Sequence, residues 1–393
     1  MIILGIDFGT SNSSAALMIN SNLRLVKEPT KQGYSFPSSI YLDREGKILV
    51  GQIAETRKFN DITRYRREFK RDLLQNYPYV LGKQGEYQFT PQQLVIEVIK
   101  TLKREADKMV IALGEEPISE AVVTIPATYK KNKKDLMKEA AEQAGFSLVH
   151  LLEEPVAAAS YYNHQNPKTF KEGDIILVYD LGGGTFDATL IKKQGTGFQI
   201  LGQPLGKDPC GGIDFDREIF QDVKSLCDTQ LQEKLSHKNQ LLEKNEFLDF
   251  CQGIKHQFSL DSTATGNIPI SRKFYQLENS QFNQMISPYI EQTIMICEDL
   301  VKSAGLESNN VSKVLMVGGS CRIPYIQDSI KNRLCSAVLL IDEPELAVCQ
   351  GATIYGENLK SLLKKDVKKD KERKREYYVK NSRGDPFAVF EID

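Results

Sequence analysis

The chain of 393 residues predicts an α/β fold built from two similar lobes. Three observations predict it. Two apolar runs that read as buried strands, Ile2 to Ile6 and Ile175 to Tyr179, each end at an aspartate. Each aspartate opens a glycine turn: Asp7-Phe8-Gly9-Thr10-Ser11-Asn12 and Asp180-Leu181-Gly182-Gly183-Gly184-Thr185-Phe186-Asp187. Strand-like and helix-like patterns alternate along most of the remaining chain. Glycine at such a turn lets backbone N–H groups approach a phosphate closely. An aspartate at the strand end can hold a hydrated metal ion. Two copies imply a phosphate chain clamped between the lobes.

The elements follow in order. Residues 1 to 33 read as a strand meander around the first turn, and residues 34 to about 90 are more polar and irregular, with a basic stretch from Arg64 to Arg71. Thr90 caps a helix, with Pro91 in its first turn and Gln93 at capping-box spacing. Val95, Ile99, Leu102, Ala106, Met109 and Leu113 form its apolar stripe, and Gly114 ends it. A strand from Ala121 to Ile125 is stopped by Pro126, and a charged helix from about Asn132 to Ala144 terminates at Gly145.

The second lobe starts near Gly173. After its glycine turn come Cys210-Gly211-Gly212-Ile213-Asp214-Phe215-Asp216, a helical stretch over much of 214 to 258, and a short strand pair around Asn267 to Phe274. A helix from about Ser280 to Ala304 leads into the strand Lys313 to Val317 and a third glycine turn, Gly318-Gly319-Ser320. A last helix, roughly Leu346 to Leu363, closes the cleft from below. The expected division is lobe I over 1–172 with an outer subdomain at about 34–96, lobe II over 173–342 with an outer subdomain at about 211–284, a closing helix over 343–363, and a tail over 364–393. Lys364 to Glu376 is charged except for Val367 and reads as a solvated helix extension or linker. Tyr377 to Asp393 reads as strand, turn and strand, so Arg383-Gly384-Asp385 is a plain turn.

Composition excludes several classes. A net charge of −1 gives no electrostatic reason to expect nucleic acid. No apolar run approaches a membrane span, and Met1 leads directly into the first strand without a signal-peptide layout, so a cytoplasmic monomer is expected. The cysteine count of 7 is odd and no C-x-x-C pair occurs, which argues for reduced thiols over disulfides or zinc knuckles. The absence of G-x-x-x-x-G-K-[ST] disfavours a P-loop enzyme.

A lone Asp-x-Gly-Thr turn is weak evidence; four elements in order, Asp7-Phe8-Gly9-Thr10, Glu154-Pro155-Val156-Ala157-Ala158-Ala159, Asp180-Leu181-Gly182-Gly183-Gly184-Thr185 and Val317-Gly318-Gly319-Ser320, are stronger. Val122-Val123-Thr124-Ile125-Pro126-Ala127, Glu154-Pro155-Val156-Ala157-Ala158-Ala159, Asp180 to Asp187, and Val317-Gly318-Gly319-Ser320-Cys321-Arg322-Ile323-Pro324 together resemble the ATPase domain of the seventy-kilodalton heat-shock chaperone family, within the actin and sugar-kinase superfamily. The resemblance runs from Ile2 to about Leu363. It implies a two-lobed actin-like ATPase fold, a ribonuclease-H-like core sheet in each lobe, an outer subdomain on each, and nucleotide in the cleft between.

The resemblance also implies roles. Asp7 and Asp180 would hold Mg²⁺ through water. Thr10, Ser11 and Asn12, with Gly182, Gly183, Gly184 and Thr185, would wrap the β- and γ-phosphates. Thr185 and Asp187 would orient the attacking water and monovalent ions such as K⁺, with Glu154 beside that water. Lys70 matches the lysine that reaches the γ-phosphate, with Arg71 as the alternative if the spacing slips by one. Gly211, Gly212, Gln252, Lys255, His256 and Ser259 would line the adenosine side, with Gly318, Gly319, Ser320, Arg322, Ile323 and Glu345 opposite. Gln252 stands where the family has glutamate and His256 where it has arginine, so weaker nucleotide binding is expected. Pro126 matches a relay proline, Lys134 its partner arginine, and His150 replaces a basic residue that engages J-domain co-chaperones. The family's apolar linker and peptide-binding domain have no counterpart here, which reads as a fragment or a divergent stand-alone member.

The implied activity is slow hydrolysis of ATP to ADP and phosphate. Partners would be a J-domain co-chaperone, a nucleotide-exchange factor or a client protein, with no membrane or nucleic acid. The rival is a nucleotide-gated interaction module with negligible turnover. A small-molecule kinase lacks an identifiable acceptor site.

Overall fold

The computed structural model describes residues 2–361, apart from 76, 84, 86, 238–240, 335–336 and 341–342. The expectations for the tail at 364–393 lie outside the described residues. The mixed α/β architecture is the two-lobed actin-like ATPase fold.

The first core sheet grows outward from the strand Ile3–Phe8. On one side this strand pairs antiparallel with Asn12–Ile19, which pairs in turn with Asn22–Leu25. On the other side it lies parallel to Glu120–Ile125, which is parallel to Leu148–Glu153. A parallel strand cannot return by a tight turn and needs a crossover, here the helix Lys131–Gln143. Every residue of Glu120–Ile125 is buried, which explains its mostly apolar run after Glu120, where Thr124 alone is polar and satisfies its hydroxyl on the Ile6 carbonyl. The helix Glu154–Gln165 follows the last strand directly.

The second sheet repeats this plan strand for strand. Ile175–Leu181, Phe186–Gln194 and Gly197–Lys207 form the antiparallel meander. Lys313–Val317 and then Val338–Leu339 lie parallel on the other side of Ile175–Leu181. The helices correspond too. Pro91–Ile111 precedes the fourth strand of one lobe and Asn279–Ser303 that of the other; Lys131–Gln143 corresponds to Pro324–Arg333, and Glu154–Gln165 to the helix over 347–361. The duplicated turn is therefore one visible part of a duplicated lobe.

The outer parts sit between the third and fourth strands of each plan. In lobe I, the stretch that read as irregular holds a 3-stranded sheet, a 2-stranded sheet and the short helix Gln52–Arg57. In lobe II, the expected helical stretch is three helices, Gly212–Ser225, Thr229–Ser236 and Leu241–Gln257. The short strand pair expected around Asn267 to Phe274 is present and longer than read, with Asn267 and Phe274 as its innermost partners. The strands are Thr263–Asn267 and Phe274–Glu278, so 268–273 is the connection between them. Pro269 cannot donate to a ladder, and Ile270 and Arg272 adopt positive φ, which turns the chain there.

Each lobe has its own core beneath its sheet and helices. A third cluster joins Ile3, Val122 and Ala157 to Ile176, Leu315 and Val348, so the two lobes share apolar packing at their base. The helix over 347–361 supplies much of that contact. Its Thr353 hydroxyl donates to the Ala16 carbonyl at 2.8 Å. Its Gly351 lies against Ala157 of the corresponding helix, where a Cβ would fall 1.8 Å from the Ala157 carbonyl oxygen.

Candidate functional site

The paired strand ends place Asp7 and Asp180 on facing walls of one cleft of about 940 Å³. Thr10, Ser11 and Asn12 line it from lobe I, and Gly182, Gly183, Gly184, Thr185 and Asp187 from lobe II. The two turns nearly touch: a Cβ on Gly183 would lie within 2.9 Å of the Ser11 Cβ, so glycine is the residue that permits the approach. Ser38 stiffens the first turn, its hydroxyl donating to the Gly9 carbonyl and its N–H to the Ser11 carbonyl, both at 2.8 Å. The Gly182 N–H closes the second turn onto the Thr185 carbonyl at 3.1 Å.

Glu154 opens the helix that follows the last strand of lobe I, with Pro155 in its first turn. Its carboxylate accepts from the Lys70 ammonium at 3.2 Å, and both residues are buried. Lys70 thus points into the cleft. Arg71 does not line it; its guanidinium crosses to lobe II, donates to the Gly184 carbonyl at 2.5 Å and pairs with Asp208 and Asp214 at 3.6 Å.

The chamber is rich in carboxylates. Burial, and then the Glu154 charge, push Asp7 up to about 7, with Lys70 and a hydrogen bond from Thr124 opposing. The same two causes push Asp187 up to about 6 and hold Asp180 well above the usual carboxylate range. Burial works against the Lys70 ammonium, but Glu154, Tyr129 and Asp7 together hold its pKa above the usual lysine value. Lys70 set among these crowded acids is a donor set that fits a hydrated divalent ion together with phosphate. Among the described residues no group of three or more His, Cys, Asp or Glu is placed to hold a metal ion.

The far end of the cleft is built from the helix Leu241–Gln257 and the third glycine turn. Gln252, Lys255, His256 and Ser259 line one side; Gly318, Gly319, Ser320, Arg322, Ile323 and Glu345 line the other. Lys255 is already engaged, donating to the Gly212 carbonyl at 2.7 Å and pairing with Asp216 at 2.8 Å, so it also braces the wall. The Ser320 hydroxyl donates to the Gly182 carbonyl at 2.8 Å, tying the third turn to the second. Arg322 forks onto Glu345, the closest approach being 2.9 Å, which fixes the plane of its guanidinium at the cleft edge. His256 is exposed at the rim, and partial desolvation, then the Lys255 and Lys31 charges, hold its pKa below the usual range.

Gly211 is a correction. It does not line the cleft but packs behind the second turn, where a Cβ would fall 2.7 Å from the Gly183 carbonyl carbon. Its neighbours Gly212 and Ile213 donate to the Gly182 and Gly183 carbonyls at 3.1 and 2.7 Å. Gly211 therefore supports the turn from outside the ligand space. Lys134 and His150 lie away from the cleft lining, paired with Glu153 at 3.0 Å and Glu120 at 2.8 Å.

Several cleft-side residues escaped the sequence reading. Lys58 of lobe I pairs with Asp249 of lobe II at 2.6 Å, above the cleft, and its ammonium is also held by Glu55 at 2.9 Å. Thr128 donates to Asp187 at 2.7 Å. The available signal for Thr128 was its place just past the end of a core parallel strand, where sites in α/β sheets gather. Nothing local marks Lys58 or Asp249. A shallower hollow of about 410 Å³ beside Gly145 is lined by Lys100, Lys103, Arg104 and Lys108, and each of these cations is paired with a carboxylate of its own helix, Glu97, Asp107 or Glu105.

Two duplicated sheets that aim glycine turns and carboxylates into a shared cleft define an actin-like ATPase class of protein. The model of the family described as Hsp70 protein matches residues 3–369, and the chain belongs to the Hsp70 family. It is a chaperone-family nucleotide-binding domain.

Proposed function

We propose that the cleft binds ATP and hydrolyses it to ADP and phosphate, and that nucleotide state sets the closure of the lobes and thereby engagement of a partner or client. The observation that carries this reading is the convergence of Lys70, Glu154 and Asp187 between two glycine turns contributed by opposite lobes. The backbone of residues 10–12 and 182–185 would cradle the β- and γ-phosphates. Lys70 would oppose the charge that develops as the γ-phosphoryl group leaves. Thr185 and Asp187 would orient the attacking water, with the Asp187 carboxylate placed to take up its proton. Glu154 holds Lys70 in place at 3.2 Å. Mg²⁺ bound with the nucleotide supplies charge neutralisation, and Asp7 and Asp180 would hold its water shell. Gln252, Lys255, Ser259 and Arg322 would receive the nucleoside, with K⁺ a candidate second ion.

The test is a single-turnover ATP hydrolysis assay run beside ATP and ADP titrations. The expected result is binding of both nucleotides and slow conversion of bound ATP to ADP. Binding without turnover overturns the hydrolysis and leaves a nucleotide-gated interaction module.

A further inference from the structure

We propose that Thr128 is a positioning residue for Asp187, its hydroxyl fixing the carboxylate from the opposite lobe so that Asp187 is correctly aimed only when the lobes are closed. The inference rests on the hydrolytic reading above and extends it to a residue outside the cleft lining.

The turn that holds Thr128 is rigid. Pro126 stops the strand Glu120–Ile125, and the Tyr129 N–H closes back onto the Pro126 carbonyl at 3.0 Å. Thr128 thereby presents its hydroxyl to lobe II, where it donates to Asp187 Oδ1 at 2.7 Å. Lobe II leaves room for that link. Gly206 lies opposite Asp187 in the sheet register, and a Cβ there would come within 2.8 Å of the Phe186 carbonyl oxygen, 2.9 Å of Asp187 Oδ1 and 3.4 Å of Thr128 Cγ2. The corresponding strand of lobe I carries Ser14 opposite Asp7 where lobe II carries Asp187 opposite Asp180. The third carboxylate is thus peculiar to lobe II, and its orienting donor comes from lobe I. Opening the lobes removes the Thr128 donor and leaves Asp187 only the Thr185 hydroxyl of its own lobe, so the aim of the carboxylate is fixed from both sides only in the closed form.

The experiment compares wild type with Thr128→Val, which removes the hydroxyl at similar volume, and Thr128→Ser, which keeps it. Each is measured for the single-turnover rate constant and for ATP affinity. Thr128→Val should lower the rate constant about tenfold or more with affinity changed less than about twofold, and Thr128→Ser should recover to within about threefold of wild type. Gly206→Ala, which crowds the same carboxylate oxygen from the other side, should show the same split. An unchanged rate in Thr128→Val or in Gly206→Ala overturns the proposal. So does a Thr128→Ser as slow as the valine variant, which would assign the effect to methyl packing, or a parallel loss of affinity. An inactive wild type that binds ATP is a different result: it overturns the hydrolytic reading, and this role falls with it.

Discussion

Lys70 keeps its charge in a buried site because Glu154 lies 3.2 Å away. That pairing makes Lys70→Ala informative: binding contacts from the turns remain, but the cation opposing the transferring phosphoryl group is gone. The expected outcome is ATP affinity near wild type and single-turnover hydrolysis slowed by roughly 10²-fold or more, checked by rapid quench and titration. Asp187 makes a stability prediction. Its folded pKa near 6 exceeds the ordinary 3.8, so the native state binds more protons than the unfolded state between those values. Stability contributed at that site is therefore present at low pH and lost as pH rises through 6. Asp187→Asn should raise the stability of nucleotide-free protein on the order of 3 kcal/mol at pH 8, from about 1.4 kcal/mol per pKa unit, and much less at pH 4. Denaturant midpoints at the two pH values check it. Asp7 and Asp180 were legible in the sequence because their surroundings are duplicated. Lys58, Asp249 and Thr128 were not, because each works through a partner far away in the chain.

At the scale of elements, local signals carried the core strands and the capped helix Pro91–Ile111, whose Thr90 and Gln93 form both halves of the capping box. They failed where the chain is irregular. The hairpin was read too short, because its connection turns at Ile270 and Arg272 in positive φ, a conformation that neither residue type advertises. Gly211 was carried into the ligand lining by the family resemblance, but the glycine there serves close packing against the backbone of Gly183 and Gly184. The helix crossing at Gly351 supplies an element-level prediction. Alanine favours helix over glycine by about 1 kcal/mol, yet the added Cβ would fall 1.8 Å from the Ala157 carbonyl oxygen. Steric displacement of this kind costs about 1–3 kcal/mol or more, so the clash wins. Gly351→Ala should lower the urea midpoint, with a net loss of about 2 kcal/mol.

Across the whole molecule, the lobes meet at the base through apolar packing and near the cleft mouth through charge. The Lys58–Asp249 pair at 2.6 Å spans that mouth, but Asp249 is partly exposed and Lys58 retains Glu55, so the pair is worth less than a fully buried one. Asp249→Ala should speed nucleotide release about three- to tenfold and change the association rate little, read by stopped-flow displacement of a fluorescent nucleotide. Rising salt should shrink the difference between variant and wild type. The base behaves differently. There the two equivalent helices, Glu154–Gln165 and 347–361, cross at Ala157 and Gly351, residues with almost no side chain to interlock. On the proposed closure this crossing would be the fulcrum and the lobes its lever arms. A rotation of a few degrees there would leave the base in contact while it carried the outer subdomains through a much larger arc, so the mouth is where opening is most sensitively measured.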